Sequence, residues 1–162
     1  MAVWRIENDC LSPATEVKID YKGPNPFNIY FRLRDIIKRV FDVKDVDIWE
    51  REFRWDVPGK FFIRIYVYKP LDKTSYILAQ IILQGAQPSD PSKPGELNIR
   101  ISGKLRTDFK MMVGFQKTAL YRNLIRLYHT LFYRETRKAY LEMCTKYLTT
   151  LVEELKRSLG IA

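Results

Sequence analysis

Glu50, Glu52 and Asp56 recur at even positions along an alternating segment, so an extended backbone would turn these carboxylates to one side. Carboxylates grouped this way can work as general acid and base, or hold a hard cation through oxygen ligands. Arg54 stands among them, and neighbouring segments carry Arg64 and Arg100. Cross-strand ion pairs use the same residues without desolvating a carboxylate cluster. We therefore read the carboxylates as charge partners and assign them no catalytic role.

Other sources of chemistry are few. His129 is the only histidine, which excludes a site built from several histidines. On a helical wheel it falls with Arg122, Arg126, Tyr133 and Arg137, as a surface histidine in a basic stripe would. The chain has no Gly-x-Ser-x-Gly, Walker-type or Gly-x-Gly-x-x-Gly motif. Cys10 and Cys144 are the two cysteines and stand far apart, which fits reduced thiols in a cytoplasmic protein better than a bridge. The expectation is a protein that is not an enzyme, with no metal and no cofactor.

Binding residues are more plentiful. The net charge is +9, and residues 110–162 carry ten Lys/Arg against four Glu, so +6 of it lies there. A basic surface favours anionic partners, although Lys- and Arg-rich, thermophile-like compositions also serve stability. Arg64, Tyr66, Tyr68, Arg100, Lys104 and Arg106 fall on the predicted outward face of a sheet. Arg122, Arg126, Tyr133 and Arg137 line a helix. Rings that stack bases beside cations that hold phosphates suit RNA or a ribonucleoprotein. The same residues would also serve as an ordinary solvated face.

The elements that place these residues follow from periodicity. Thr15 to Tyr21 alternates as a strand, and Val3 to Ile6 suggests a short one before it. After Pro24 and Pro26, Phe27, Tyr30, Leu33, Ile37, Val40 and Phe41 recur at helical spacing. From Asp45 to Arg106 the period is two, with strands over Asp45–Asp56, Phe61–Lys69, Thr74–Gln84 and Glu96–Arg106. On the first of these, Trp49, Arg51, Phe53 and Trp55 are expected opposite the carboxylates. Short turns between the strands imply an antiparallel meander with one wet face. The predicted class is α+β: a sheet packed on a long C-terminal helix, with one N-terminal helix, in a single domain of residues 1–162.

This order of strand, helix, antiparallel strands and C-terminal helix over about residues 15–133 resembles the START-like helix-grip superfamily. The resemblance implies a sheet curved around the helix, with a cavity between them for a hydrophobic molecule or lipid. Met111, Met112, Phe115, Leu120 and Leu124 would line its mouth, Met being able to adapt to varied ligands. That container is the alternative to the RNA-binding reading.

Gln116 to Leu159 lacks proline and glycine and reads as helix throughout. Its apolar face shifts by roughly 150° across Arg134–Lys138. The half Gln116–Tyr133 is expected under the sheet. An unbroken helix would be roughly 65 Å long, too long for a domain about 40 Å across. Either it bends, or residues 134–159 project and pair with a second copy through Leu141, Leu148, Leu151 and Leu155. No apolar run is long enough to span a bilayer, and the N-terminus is too short and acidic for a signal peptide.

Overall fold

A computed structural model of the chain describes residues 2–90, 92–111, 119–128 and 134–161. The strands are β1 (Ala2–Asp9), β2 (Val17–Gly23), β3 (Ile48–Asp56), β4 (Lys60–Pro70), β5 (Ser75–Ala86) and β6 (Gly95–Met111). The helices are α1 (Asn28–Phe41), α2 (Ala119–Tyr128) and α3 (Arg134–Leu159). The six strands form one sheet in the order β1-β6-β5-β4-β3, and β2 also pairs β6. Every pairing is antiparallel, as the short turns imply. This is the α+β class read from the sequence, and a sheet with a C-terminal helix against it is consistent with a helix-grip-like arrangement.

β1 and β2 run end to end along one side of β6. β1 matches Lys104–Met111 and β2 matches Gly95–Ile101, with Cys10–Glu16 looping out between them. β3 is the strand at the opposite edge. Its hairpin to β4 turns at Gly59, whose φ of 129° and close approach to the Gln87 carbonyl leave no room for a β-carbon.

Alternation buries one sheet face. Ile63, Ile65 and Val67 of β4, Ile77, Ala79, Ile81 and Leu83 of β5, and Leu97, Ile99, Ile101 and Leu105 of β6 are all buried. Ile29, Leu33, Ile36, Ile37 and Phe41 form the buried stripe of α1, at the three- and four-residue spacing of a helix. Cys144, Leu148, Leu151 and Leu155 form that of α3. The two stripes and the inner sheet face make one core. Arg39 and Glu154 pair across the helices at 2.7 Å, and the Phe41 and Tyr147 rings lie 5.3 Å apart.

The C-terminal third differs from expectation in three ways. The sheet is covered by α3, and of the segment expected there the described Leu120, Leu124 and Leu127 of α2 are 63%, 51% and 53% exposed. The reason is a narrow stripe on α3 that fits a notch at Gly103, which has no side chain to hold the helix away. Residues 134–159 therefore do not project for pairing with a second copy. Leu148, Leu151 and Leu155 are fully buried in their own chain, and Leu141 is half-buried. Whether α2 and α3 are continuous, and where His129 and Tyr133 stand, lies outside the described residues.

The third difference is a disulfide. Cys10 and Cys144 are bonded, their Cα atoms 5.8 Å apart, where two free thiols were expected. Sequence separation hid the pairing, because the β1–β2 loop and the middle of α3 meet only in the folded chain. Such bridges belong to oxidising compartments and also to intracellular proteins of hyperthermophiles. No described helix is long and apolar enough to cross a membrane.

Candidate nucleic-acid interface

α1 and α3 both pack on the inner side of the sheet, so neither covers its outer face. Arg64, Tyr66 and Tyr68 of β4 and Arg100, Lys104 and Arg106 of β6 alternate with buried positions, so all six share this face as expected. β3 is the exception to simple alternation. A bulge between Glu50 and Glu52 inserts Arg51 and reverses the parity of the strand.

The bulge has two consequences. Glu50 faces the inner side, where its carboxylate accepts the Tyr30 hydroxyl at 2.7 Å, while Glu52 stays on the outer side with Arg54 at 3.0 Å. The supposed trio of carboxylates is thus split by the sheet. Trp49, expected beside Phe53 and Trp55, stands on the outer face instead. Its ring stacks on Tyr68 with centroids 6.0 Å apart, and Tyr68 meets Tyr76 at 5.0 Å. Arg51 lies over the Trp49 ring at 5.2 Å. This Trp49–Tyr68–Tyr76 ladder was not legible from the sequence, which offers no sign of the bulge.

Phe53 and Trp55 remain on the inner side at the free edge. Both are 45% exposed, and they close over Phe27 of the segment leading into α1, with centroids at 6.2 and 4.9 Å. Their first task is packing α1 against β3.

Several outer cations are neutralised. Glu7 accepts from Lys104 at 3.1 Å and from Arg106 at 2.5 Å. Burial pushes the Glu7 carboxyl up, but these two hydrogen bonds outweigh it and hold the group below the usual carboxylate range. Arg5 grips Asp108 at 2.7 and 3.1 Å, and that hydrogen bond lowers the Asp108 carboxyl despite its partial burial. Arg64 pairs with Glu52 at 3.9 Å, and Arg100 donates to Gln84 Oε1 at 3.0 Å. The Nε atom of each is shielded from water and has no hydrogen-bond partner.

Beside them lies a trough of about 750 Å³ at the β3–β4 turn, lined by Phe62, Gln84 and Asn98 with charges of both signs. Arg54 and Arg64 each cover the Phe62 ring, at 4.8 and 5.6 Å.

The helical group does not assemble into one surface. Arg122 and Arg126 are exposed on α2. Arg137 is turned toward the sheet, where it donates to Asn8 Oδ1 and Thr107 Oγ1. Thr107 and Ser75 are the buried polar residues of the inner face, their hydroxyls 2.8 Å apart, so Arg137 completes a polar cluster at the start of α3. Of the alternative pocket, Met112 and Phe115 lie outside the described residues, as does the Met111 side chain. Leu120 and Leu124 face outward on α2.

No family model matches the chain, and no curated protein does. Among solved structures, a protein of unknown function from Staphylococcus aureus has 14% identity and a TM-score of 0.26, covering 87% of this chain and 96% of that one. An uncharacterized protein from Rhizobium leguminosarum has 10% identity and a TM-score of 0.23, covering 97% and 99%. Neither brings an assigned function with it.

Proposed function

We propose that the protein is a non-catalytic binding module that docks on RNA, free or within a ribonucleoprotein, through its outer sheet face. The observation that carries this reading is the sheet face turned away from α1 and α3, on which Trp49, Tyr66 and Tyr68 stand beside Arg64 and Arg100. Rings on an open sheet stack unpaired bases, and guanidinium groups hold the phosphates between them. Lys104 and Arg106 play a smaller part, since Glu7 already occupies both.

The container reading has less support. Between the sheet and α3 the side chains meet directly, with Leu148 fully buried over Gly103.

The test is fluorescence anisotropy of a labelled single-stranded RNA titrated with the protein at rising salt. Binding should weaken steeply, because each phosphate contact releases condensed counterions, and double-stranded RNA should bind less well. Absence of RNA binding at low salt would overturn the reading.

A further inference from the structure

β4 pairs one side of β3, and no described strand pairs the other. After Ile48 every residue of β3 is exposed except Glu52, which is half-buried. An open edge is a template for another strand, and proteins commonly blunt one with lysine, proline or an inward charge. β3 has no lysine and no proline, and its inward carboxylate, Glu50, is held by the Tyr30 hydroxyl.

An apolar patch borders this edge on the inner side. Phe53 and Trp55 join Phe31 of α1, which is 68% exposed, through the rings of Phe27 and Tyr30. Exposed rings beside an unpaired strand are the parts that strand addition uses: main-chain hydrogen bonds along the edge and apolar contacts next to it. On the outer side Glu52 and Arg54 stand in succession, 3.0 Å apart.

The residue order of β3 selects a second copy of this chain as the occupant. When a strand pairs antiparallel with itself, a two-fold axis passes at one residue, and residues equally distant from it face each other. An axis at Glu52 or at Arg54 brings like charges face to face. An axis at Trp55 runs the pairing into the turn at Pro58. An axis at Phe53 sets Glu52 opposite Arg54 of the other copy, and Arg54 opposite its Glu52. The four charges then alternate in sign on the outer side, while the two Phe53 rings meet on the inner side next to Trp55 and Phe31. The bulge at Arg51 ends the regular ladder, so the paired stretch is Arg51–Trp55 in each copy.

We propose that β3 is the interface of a homodimer, in which two copies join edge to edge about Phe53 and their sheets become one. The interface does not depend on the RNA reading. The short ladder fixes register and orientation, and the rings supply the apolar area that so short a ladder lacks.

The experiment is sedimentation velocity on the whole chain from about 1 μM to about 1 mM, with Glu52→Arg and Arg54→Glu as variants. The wild type should sediment as a dimer as concentration rises. Each variant places like charges opposite each other twice, and with an unchanged circular dichroism spectrum should dimerise at least about tenfold more weakly. Mixed in equal amounts, the two variants should form a heterodimer, because every charge again faces its opposite. The double exchange Glu52→Arg with Arg54→Glu keeps the pair within the chain and should dimerise as the wild type does, which answers the question if a single variant fails to fold. Hydrogen exchange on the wild type gives a reading without any variant: protection over Arg51–Trp55 should rise with concentration. A wild type that stays monomeric throughout, or exchange over Arg51–Trp55 that ignores concentration, would overturn the interface. Variants that dimerise as well as the wild type, or folded variants that fail to pair when mixed, would also overturn it.

Discussion

Leu148 of α3 sits so close over Gly103 of β6 that a β-carbon on residue 103 would lie 2.7 Å from Leu148 Cδ1. Leu148 is fully buried, so it cannot swing into solvent to make room. Gly103→Val should therefore push the helix off the sheet and destabilise the protein by about 1–3 kcal/mol. Shortening the partner should relieve the clash. Leu148→Ala costs about 2–5 kcal/mol alone, yet in the double variant with Gly103→Val the two losses should sum to less than their separate values. Urea melts of the four proteins check this, and strict additivity would mean that the two residues do not share a contact.

The same helix is held a second time by the Cys10–Cys144 bridge, which closes a sequence separation of 134 residues. Cross-linking so distant a pair restricts the unfolded chain strongly, and loss of such a bond typically costs about 2–5 kcal/mol. Replacing both cysteines with alanine should lower the thermal midpoint while leaving the circular dichroism spectrum unchanged. Mass spectrometry of the wild-type chain under non-reducing conditions should show a mass lower by two hydrogen atoms than the chain with two free thiols.

The two halves of the C-terminal helix show where sequence reading stopped. Leu120, Leu124 and Leu127 recur at helical spacing as clearly as Leu148, Leu151 and Leu155 do, so periodicity alone cannot say which stripe the sheet receives. The decision lies in complementarity, in Gly103 and Cys10, which are distant in sequence. Strands β4, β5 and β6 were legible because each alternates without interruption. β3 alternates just as well on paper, and only the bulge at Arg51 sends Glu50 and Trp49 to the sides opposite those expected. The outer-face cations could be located by parity. Which of them were free to bind could not, since Glu7 reaches Lys104 and Arg106 from a strand whose register a sequence does not reveal.

Aspartate substitutions should separate the two stripes directly. Leu120→Asp and Leu124→Asp place charge on an exposed face and should change stability by no more than about 0.5 kcal/mol. Leu148→Asp and Leu151→Asp bury an unpaired carboxylate in the core, a loss of more than about 4 kcal/mol. The second pair should be insoluble or unfolded by circular dichroism. A folded, soluble protein carrying both core substitutions would instead show that α3 is not held against the sheet.

Tyr30 should report on the α1–β3 contact through pH. Burial and then its hydrogen bond to Glu50 push the phenol up from its usual value of 10.0 to about 12. The folded state thus holds this proton more tightly than the unfolded chain does. Its contribution to stability is complete below about pH 10 and is lost as pH rises toward about 12. Burial also pushes the Tyr68 phenol up, so phenolate absorbance should show more than one late tyrosine, and Tyr30→Phe should remove one of them and flatten the fall in stability over that window. A late phase of undiminished amplitude in Tyr30→Phe would assign it elsewhere.

Arg137 distinguishes a cation that builds the fold from one that binds a partner. It was expected in the RNA-binding stripe, yet its guanidinium reaches inward to Asn8 and to Thr107, a buried polar side chain. Arg137→Ala would remove a donor to the Ser75–Thr107 pair and loosen the first turn of α3 from β1 and β6. Hydrogen bonds to a charged group are worth about 1.5–3 kcal/mol, and partial exposure of this site argues for the lower end. The expected outcome is a lower urea midpoint with RNA affinity and salt slope unchanged at temperatures where the variant stays folded. Arg64→Gln should behave in the opposite way, keeping its midpoint and losing salt-dependent affinity. If Arg137→Ala shallowed the salt slope as Arg64→Gln does, Arg137 would belong to the interface after all, and its inward hydrogen bonds would have to break when RNA binds.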